Sequence, residues 1–112
     1  MAFLNRLHNK GSDGRRATFG EVVIAEAAET VRVEGNDYFP PDTVDWERLV
    51  RCLQTTVCPW KGVASYYDVV DGDRRLPGAA WVYEDPSPAA AHIKGHVAFW
   101  RGVSVGPVRE PD

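Results

Sequence analysis

The sequence predicts a mainly β, single-domain protein: a small antiparallel sandwich or partly closed barrel with two short helices. The chain has 112 residues, which is enough for one domain. Short runs of alternating apolar and polar residues are typical of half-buried strands. Turn dipeptides separate these runs, and close spacing of strands and turns is typical of antiparallel folds. The dipeptides are Gly20-Glu21, Gly35-Asn36, Asp71-Gly72 and Pro77-Gly78.

The first strands lie in the N-terminal half. Ala17–Ala25 is apolar and β-branched, and a turn at Gly20-Glu21 makes it a short hairpin. Glu29–Glu34 alternates, so that Val31 and Val33 point to one face. We expect Gly35-Asn36 to form the next turn, since glycine and asparagine tolerate positive φ.

The centre of the chain, Thr55–Tyr67, is predicted to be two strands joined at a turn. Pro59 ends the strand Leu53–Cys58, because proline cannot donate to a β-ladder. Gly62 permits the return into the strand Val63–Val70. Strand geometry then sends Tyr66 and Tyr67 to opposite faces of the sheet.

The remaining strands follow a turn at Pro77-Gly78. Ala79–Tyr83 is the first of them, and His96–Arg101 is the last. Alternation in the last strand places Val97 and Phe99 on one face, and His96, Ala98 and Trp100 on the other.

Two short helices are predicted between strands. The first spans Val44–Val50, with Asp42 or Thr43 as its N-cap. The second has Asp85 as N-cap and Pro86 at its first position. It continues through Ala89–Ile93 and ends at Gly95.

We divide the chain into three parts. Residues 1–16 are predicted to be a flexible arm, because a Gly-Ser-Asp-Gly run at 11–14 interrupts their one amphipathic turn. Residues 17–105 form the β domain. Residues 106–112 hold two prolines and are predicted to be a frayed tail.

Charge and cysteine content narrow the classes of function. The net charge of −3 and the pI of about 5.6 argue against a nucleic-acid partner. No apolar run is long enough to cross a membrane. On one extended strand Cys52 and Cys58 lie about 20 Å apart, too far to form a disulfide. We therefore expect free thiols, a cytoplasmic location and no membrane partner.

Three stretches of the chain resemble a known family. They are VRVEGNDYFPPDTVD, TTVCPWKGVASYYDVV and AAWVYEDPSPAAAHIKGHVAFW. Their order and spacing resemble the family called domain of unknown function 427, from about Ala17 to about Val103. The resemblance implies a β-tent fold similar to the Mss4-like and methionine sulfoxide reductase B-like folds.

The resemblance lends no activity or cofactor to this chain. Relatives of the tent fold bind zinc through paired C-x-x-C knuckles, but Cys52 and Cys58 are unaccompanied, so we expect neither metal nor other cofactor. The family is also labelled nucleotidyltransferase-like, yet the chain lacks the G-x-x-x-x-G-K-[ST] phosphate loop.

Cys58 is the candidate catalytic residue. Lys61 lies close enough in sequence to favour its thiolate, and His92 or His96 is a candidate base. The alternative is that Cys58 is a small buried apolar residue, which is common for free cysteines. The two histidines do not share a face, which argues against a metal site formed by them alone.

The candidate ligand-binding residues are Trp60, Lys61, Tyr66, Glu34 and Trp81. A tryptophan-lined pocket suits a cation or a flat apolar group. Trp60 follows a proline in a turn, so it is either a pocket wall or a ring folded back onto the sheet.

The other two tryptophans, Trp46 and Trp100, are predicted to be core residues. Glu34 is predicted to pair with Lys61 or with Lys94, or to form a plain surface salt bridge. Lys61 either binds an anionic group or is exposed to water.

These residues predict one of three functions. The first is a module that binds a small ligand or peptide group in an aromatic pocket near Cys58–Lys61. The second is an enzyme that uses Cys58 with Lys61 or a histidine. The third is a structural or assembly domain without a ligand.

Overall fold

The computed structural model describes residues 14–108 and confirms a mainly β, antiparallel fold. Its helices are short 3-10 turns, at Pro41–Thr43, Trp46–Arg48 and Pro88–Ile93. The sheets do not close into a barrel in the described part of the chain. The strands are β1 Arg15–Phe19, β2 Val22–Ala27, β3 Val31–Val33, β4 Asn36–Tyr38, β5 Leu49–Cys58, β6 Gly62–Asp71, β7 Arg74–Tyr83, β8 Val97–Phe99 and β9 Ser104–Pro107.

The strands form three sheets. The largest has the order β5-β6-β7-β8, a second has the order β2-β1-β9, and β3 pairs with β4 alone. A first core joins the two larger sheets, and its main members are Ala17, Ile24, Phe39, Val69, Val82, Val97 and Phe99.

A second core lies on the other face of the four-stranded sheet, because the side chains of each strand alternate between faces. The β3–β4 hairpin and the turn at Pro88–Ile93 contribute to it. Its members are Tyr38, Ala64, Tyr66, Tyr83, Ala90, Ile93 and Ala98.

The turn of the β3–β4 hairpin is Glu34-Gly35, not the predicted Gly35-Asn36. Asn36 pairs with Val33 as the first residue of β4. Glu34 and Gly35 have φ values of 54° and 83°. Two-residue hairpin turns with positive φ match the twist of the flanking strands, so the glutamate accepts a backbone conformation usually left to Gly, Asn or Asp.

Pro77-Gly78 is a bulge inside one long strand, and the predicted turn is wrong. β7 runs from Arg74 to Tyr83, and its register with β6 shifts between Tyr67 and Val69. The Gly78 N–H donates to Asp68 Oδ1 at 2.8 Å. A buried carboxylate therefore satisfies the N–H group that the bulge removes from the ladder.

Both predicted α-helices are replaced by 3-10 turns. Of the first predicted helix, Val44–Val50, only Trp46–Arg48 is helical, because Val44 forms an isolated bridge with Ala25 and β5 begins at Leu49. The second helix begins at Pro88 instead of after Asp85. Within residues 14–108 no helix is long and apolar enough to span a membrane.

The ends of the domain extend beyond the predicted limits. Arg15 and Arg16, assigned to the arm, lie in β1. Gly106 and Pro107, assigned to the frayed tail, lie in β9 and pair with β1. Residues 1–13 and 109–112, the rest of the arm and tail, lie outside the described residues.

Candidate functional site

The site is built on the turn between β5 and β6. Cys58 and Gly62 are the last paired residues of the two strands, and Pro59, Trp60 and Lys61 form the loop between them. Gly62 has φ 114°, which a residue with a side chain rarely adopts. The loop is held from outside by Ser87, whose N–H donates to Lys61 O at 3.0 Å and whose hydroxyl donates to Trp60 O.

Lys61 is buried, in contrast to the exposed lysine expected of a turn. Only 6% of the residue is exposed. Its Nζ lies 5.2 Å from the centroid of the Trp60 ring and 5.5 Å from that of Tyr83. Burial lowers the pKa of the ammonium, but the hydrogen bond to Glu34 and the charges of the nearby tyrosine and cysteine groups together outweigh this and raise the pKa above the usual value. Lys61 therefore stays charged.

Glu34 supplies the counter-charge from the tip of the β3–β4 hairpin. Its Oε1 accepts a hydrogen bond from Lys61 Nζ, and its Oε2 accepts one from Trp60 Nε1 at 3.2 Å. These two bonds hold the pKa of the carboxyl below its usual value. Of the two lysines that the sequence offered, Lys61 is the partner and Lys94 is not.

Cys58 lies at the end of β5, partly exposed beside the Lys61 ammonium. Burial raises the pKa of the thiol, whereas the N–H groups of Trp60 and Lys61 and the charge of Lys61 lower it. The combined effect is a pKa below the usual value. The turn is thus arranged to favour a thiolate, as at reactive cysteines.

The phenols of Tyr38 and Tyr83 belong to the same group of charged and polar residues as Cys58, Lys61 and Glu34. Burial raises the pKa of Tyr38, and it raises the pKa of Tyr83 to about 12. Both phenols are therefore neutral at physiological pH. The charges of Lys61 and Cys58 act on both phenols, which indicates that the two tyrosines lie near the turn.

A cluster of rings lies beside this group on the same face of the sheet. The Trp81 ring is 5.6 Å from Trp100 and 6.3 Å from Tyr66, centroid to centroid. Trp81 Nε1 also donates to the Tyr38 hydroxyl at 3.1 Å, which connects the rings to the charged group. Tyr66 is buried in the second core, and its neighbour Tyr67 packs against the first.

Two tryptophans are more exposed than predicted, and the exposure of a third bears on the two alternatives left open for it. Trp46 and Trp100 are each 39% exposed, so the prediction that they are core residues is wrong. Trp46 packs edge-on against Tyr67, on the other face of the sheet. Trp60 is 41% exposed, which fits a wall open to solvent better than a ring folded onto the sheet.

His92 and His96 do not take part in the site. His96 Nδ1 lies 2.9 Å from Lys94 O, and His92 is exposed on the last 3-10 turn. Among residues 14–108 neither forms a hydrogen bond with Cys58, so a histidine base for this thiol is not seen. In the same part of the chain no three His, Cys, Asp or Glu side chains are grouped to hold a metal. Cys52 is a free thiol that donates to Tyr66 O at 3.3 Å.

Sequence reasoning missed Tyr38, Tyr83 and Ser87. Tyr83 shares a face with Trp81, because the two are separated by one residue on β7. That spacing is a usable signal. The contact of Ser87 with the loop joins segments that are distant in sequence, and no local pattern indicates it.

Comparison with known proteins places the chain in a family without adding an activity. No curated protein matches the sequence. The family model described as domain of unknown function (DUF427) matches residues 10–109, which include the site turn and the whole described β domain. The chain therefore belongs to the DUF427 family.

Proposed function

We propose that the protein is a cytoplasmic binding domain that holds a small ligand or peptide group beside the Cys58–Lys61 turn. The observation that carries the proposal is the convergence of a buried ammonium, its carboxylate partner, a low-pKa thiol and two phenols. Perturbed ionisable groups cluster at functional sites more often than elsewhere on a protein. The half-exposed Trp60 ring offers an apolar wall next to these groups.

The geometry favours a flat or apolar group over a cation. A cation bound by rings requires open aromatic faces. In this site the Lys61 ammonium already lies near the rings of Trp60 and Tyr83. A ligand cation would therefore meet an existing positive charge, whereas a flat group stacks on the exposed part of Trp60.

Screening with matched variants tests this proposal. Melting temperature and tryptophan fluorescence are followed against a panel of metabolites and short peptides, since a ligand stabilises the folded state by mass action. A compound that binds at the turn should bind about tenfold more weakly to Trp60→Phe, a loss of ~1.4 kcal/mol. It should bind equally well to Trp46→Phe, whose ring lies on the other face of the sheet and is similarly exposed.

Two outcomes contradict binding at this turn. One is a panel in which no compound shifts either signal, which supports a structural or assembly domain instead. The other is a ligand whose affinity falls in Trp46→Phe and not in Trp60→Phe.

A second candidate is a cysteine-dependent enzyme that uses Cys58 with Lys61. The specific observation in its favour is the thiol pKa, lowered by two backbone N–H groups and the Lys61 charge. Thiolates are the reactive form of cysteine. With Cys52→Ser as background, iodoacetamide should modify Cys58 faster than a free thiol at neutral pH. Equal or slower modification excludes this candidate.

A further inference from the structure

We infer that the Lys61 ammonium and the Trp60 indole form a carboxylate-binding site, which Glu34 occupies in the structure and from which a ligand carboxylate displaces it. This inference rests on the proposed function and names its ligand class. The ligand is a molecule with a carboxylate group and a flat or apolar part.

The donors match a carboxylate. Lys61 Nζ donates to one oxygen of Glu34, and Trp60 Nε1 donates to the other. The two donors are neighbours in a loop whose carbonyl groups are fixed by Ser87. The loop therefore fixes the backbone positions from which the two donors extend, independently of the carboxylate that they bind. Bonds in which both partners are charged are the stronger class of hydrogen bond, so the ammonium is the main source of affinity.

The two halves of the pair are buried to different extents. The side chain of Lys61 is 7% exposed and that of Glu34 is 51% exposed. Water already reaches the carboxylate, so its departure into solvent requires little further opening. The ammonium stays in place and needs an anion, because an unpaired buried charge is strongly unfavourable.

The backbone conformation of Glu34 also supports its displacement by a ligand. A glutamate at φ 54° is strained, and strained residues in native structures are concentrated at ligand clamps and switches. The tip beside it is loosely packed, since a Cβ added to Gly35 meets no atom within 4 Å. The base of the hairpin is held by paired hydrogen bonds between Phe39 and Val97. The half-exposed Glu34 side chain can thus rotate into solvent while the hairpin stays attached.

Chemical rescue tests the inference. Glu34→Ala empties the carboxylate position, and acetate is added at constant ionic strength with chloride as the reference anion. The folded-to-unfolded ratio should rise about 100-fold when acetate is present at 100 times its dissociation constant. The effect should saturate, and tryptophan fluorescence should change over the same concentration range. If Glu34→Ala does not fold in chloride, the folded fraction after refolding from urea is compared in the two anions.

The control is Glu34→Ala combined with Lys61→Met, which removes the cation and should abolish the acetate effect. Equal stability of Glu34→Ala in acetate and chloride overturns the inference, as does an acetate effect of equal size in the double variant. To separate the two sources of carboxylate, benzoate is compared with a short peptide that has a free or an amidated C-terminus. A preference for benzoate indicates a small acid, and a preference for the free peptide indicates a chain terminus.

The two proposals fail in different ways. If acetate does not stabilise Glu34→Ala, the carboxylate-binding site is contradicted. The proposed ligand binding at the turn still holds if the wild-type screen finds a ligand. If acetate stabilises Glu34→Ala but no compound in the screen binds the wild-type protein, the carboxylate-binding site is supported and the proposed ligand-binding function is contradicted.

Discussion

Removing the glutamate of the Glu34–Lys61 pair is expected to destabilise the protein more than removing the lysine. Glu34→Gln leaves the ammonium of Lys61 in a site where its side chain is 7% exposed. Breaking a fully buried pair costs about 3–5 kcal/mol, and because water reaches this pair we expect about 2 kcal/mol for the stranded ammonium. Lys61→Met should cost less, because methionine fills the same space and the glutamate, half-exposed, turns to solvent.

The measurement is thermal and urea unfolding of the two single variants and the double variant. A loss of 2 kcal/mol in a domain of this size lowers the melting temperature by roughly 10 °C. The double variant should be more stable than Glu34→Gln, because the stranded charge is gone. If Lys61→Met is the less stable single variant, or if the double variant is the least stable of the three, the burial argument is refuted.

Three further predictions concern the fold around the site. Burial raises the pKa of Asp37, but its hydrogen bonds to Thr30 and Arg15 and the charges of Arg15 and Arg32 together outweigh this, so the pKa in the folded state lies below the usual value. This contribution to stability is present above the unfolded pKa of about 3.9 and is lost as pH falls through the folded pKa. Asp37→Asn should therefore flatten the acid side of a stability–pH curve, and an unchanged curve contradicts the assignment. Asp68→Ala leaves the Gly78 N–H of the bulge without its acceptor and should cost about 1–3 kcal/mol in urea unfolding. Asp68→Asn keeps an acceptor and should cost less, so equal losses count against the role of the bulge. Gly62→Ala places a side chain at φ 114° and should destabilise by at least about 1–2 kcal/mol, whereas Gly106→Ala, where an added Cβ meets no atom within 4 Å, should not.

Local alternation predicted which residues share a face, but not which faces are covered. Val97 and Phe99 lie together in the first core, as their spacing indicates. Leu53 and Val57 also alternate, yet Leu53 is fully exposed and Val57 is 75% exposed. Whether a strand face is buried depends on the elements that pack against it. This is a property of the tertiary fold, and sequence periodicity does not predict it.

The bulge at Pro77-Gly78 escaped prediction because its residues are also turn residues. Pro77 and Gly78 read as a turn, since proline interrupts a ladder and glycine favours positive φ. The strand continues because Asp68, ten residues earlier, accepts the displaced Gly78 N–H. Only the paired structure shows that this acceptor is within reach.

The residues of the turn were predictable from the sequence, but the phenols and Ser87 around it and the arrangement of the site were not. The sequence placed Cys58, Trp60 and Lys61 in one turn, and it offered Glu34 two lysines as partners. The choice of Lys61 depends on how the β3–β4 hairpin lies over the second core. The burial of Lys61 could not be foreseen for the same reason, because lysines in turns are usually exposed.

The contact between the Glu34 carboxylate and the Lys61 ammonium is central to both the proposed site and its predicted stability. Carbon-13 NMR of the side-chain carboxyl groups, recorded as pH is lowered, measures the pKa of Glu34 directly. The hydrogen bonds from Lys61 and Trp60 predict a pKa below the ordinary value for Glu34 in the wild-type protein, and an increase toward that value in Lys61→Met. A Glu34 that titrates near the ordinary value of about 4.3 in both proteins would contradict the account.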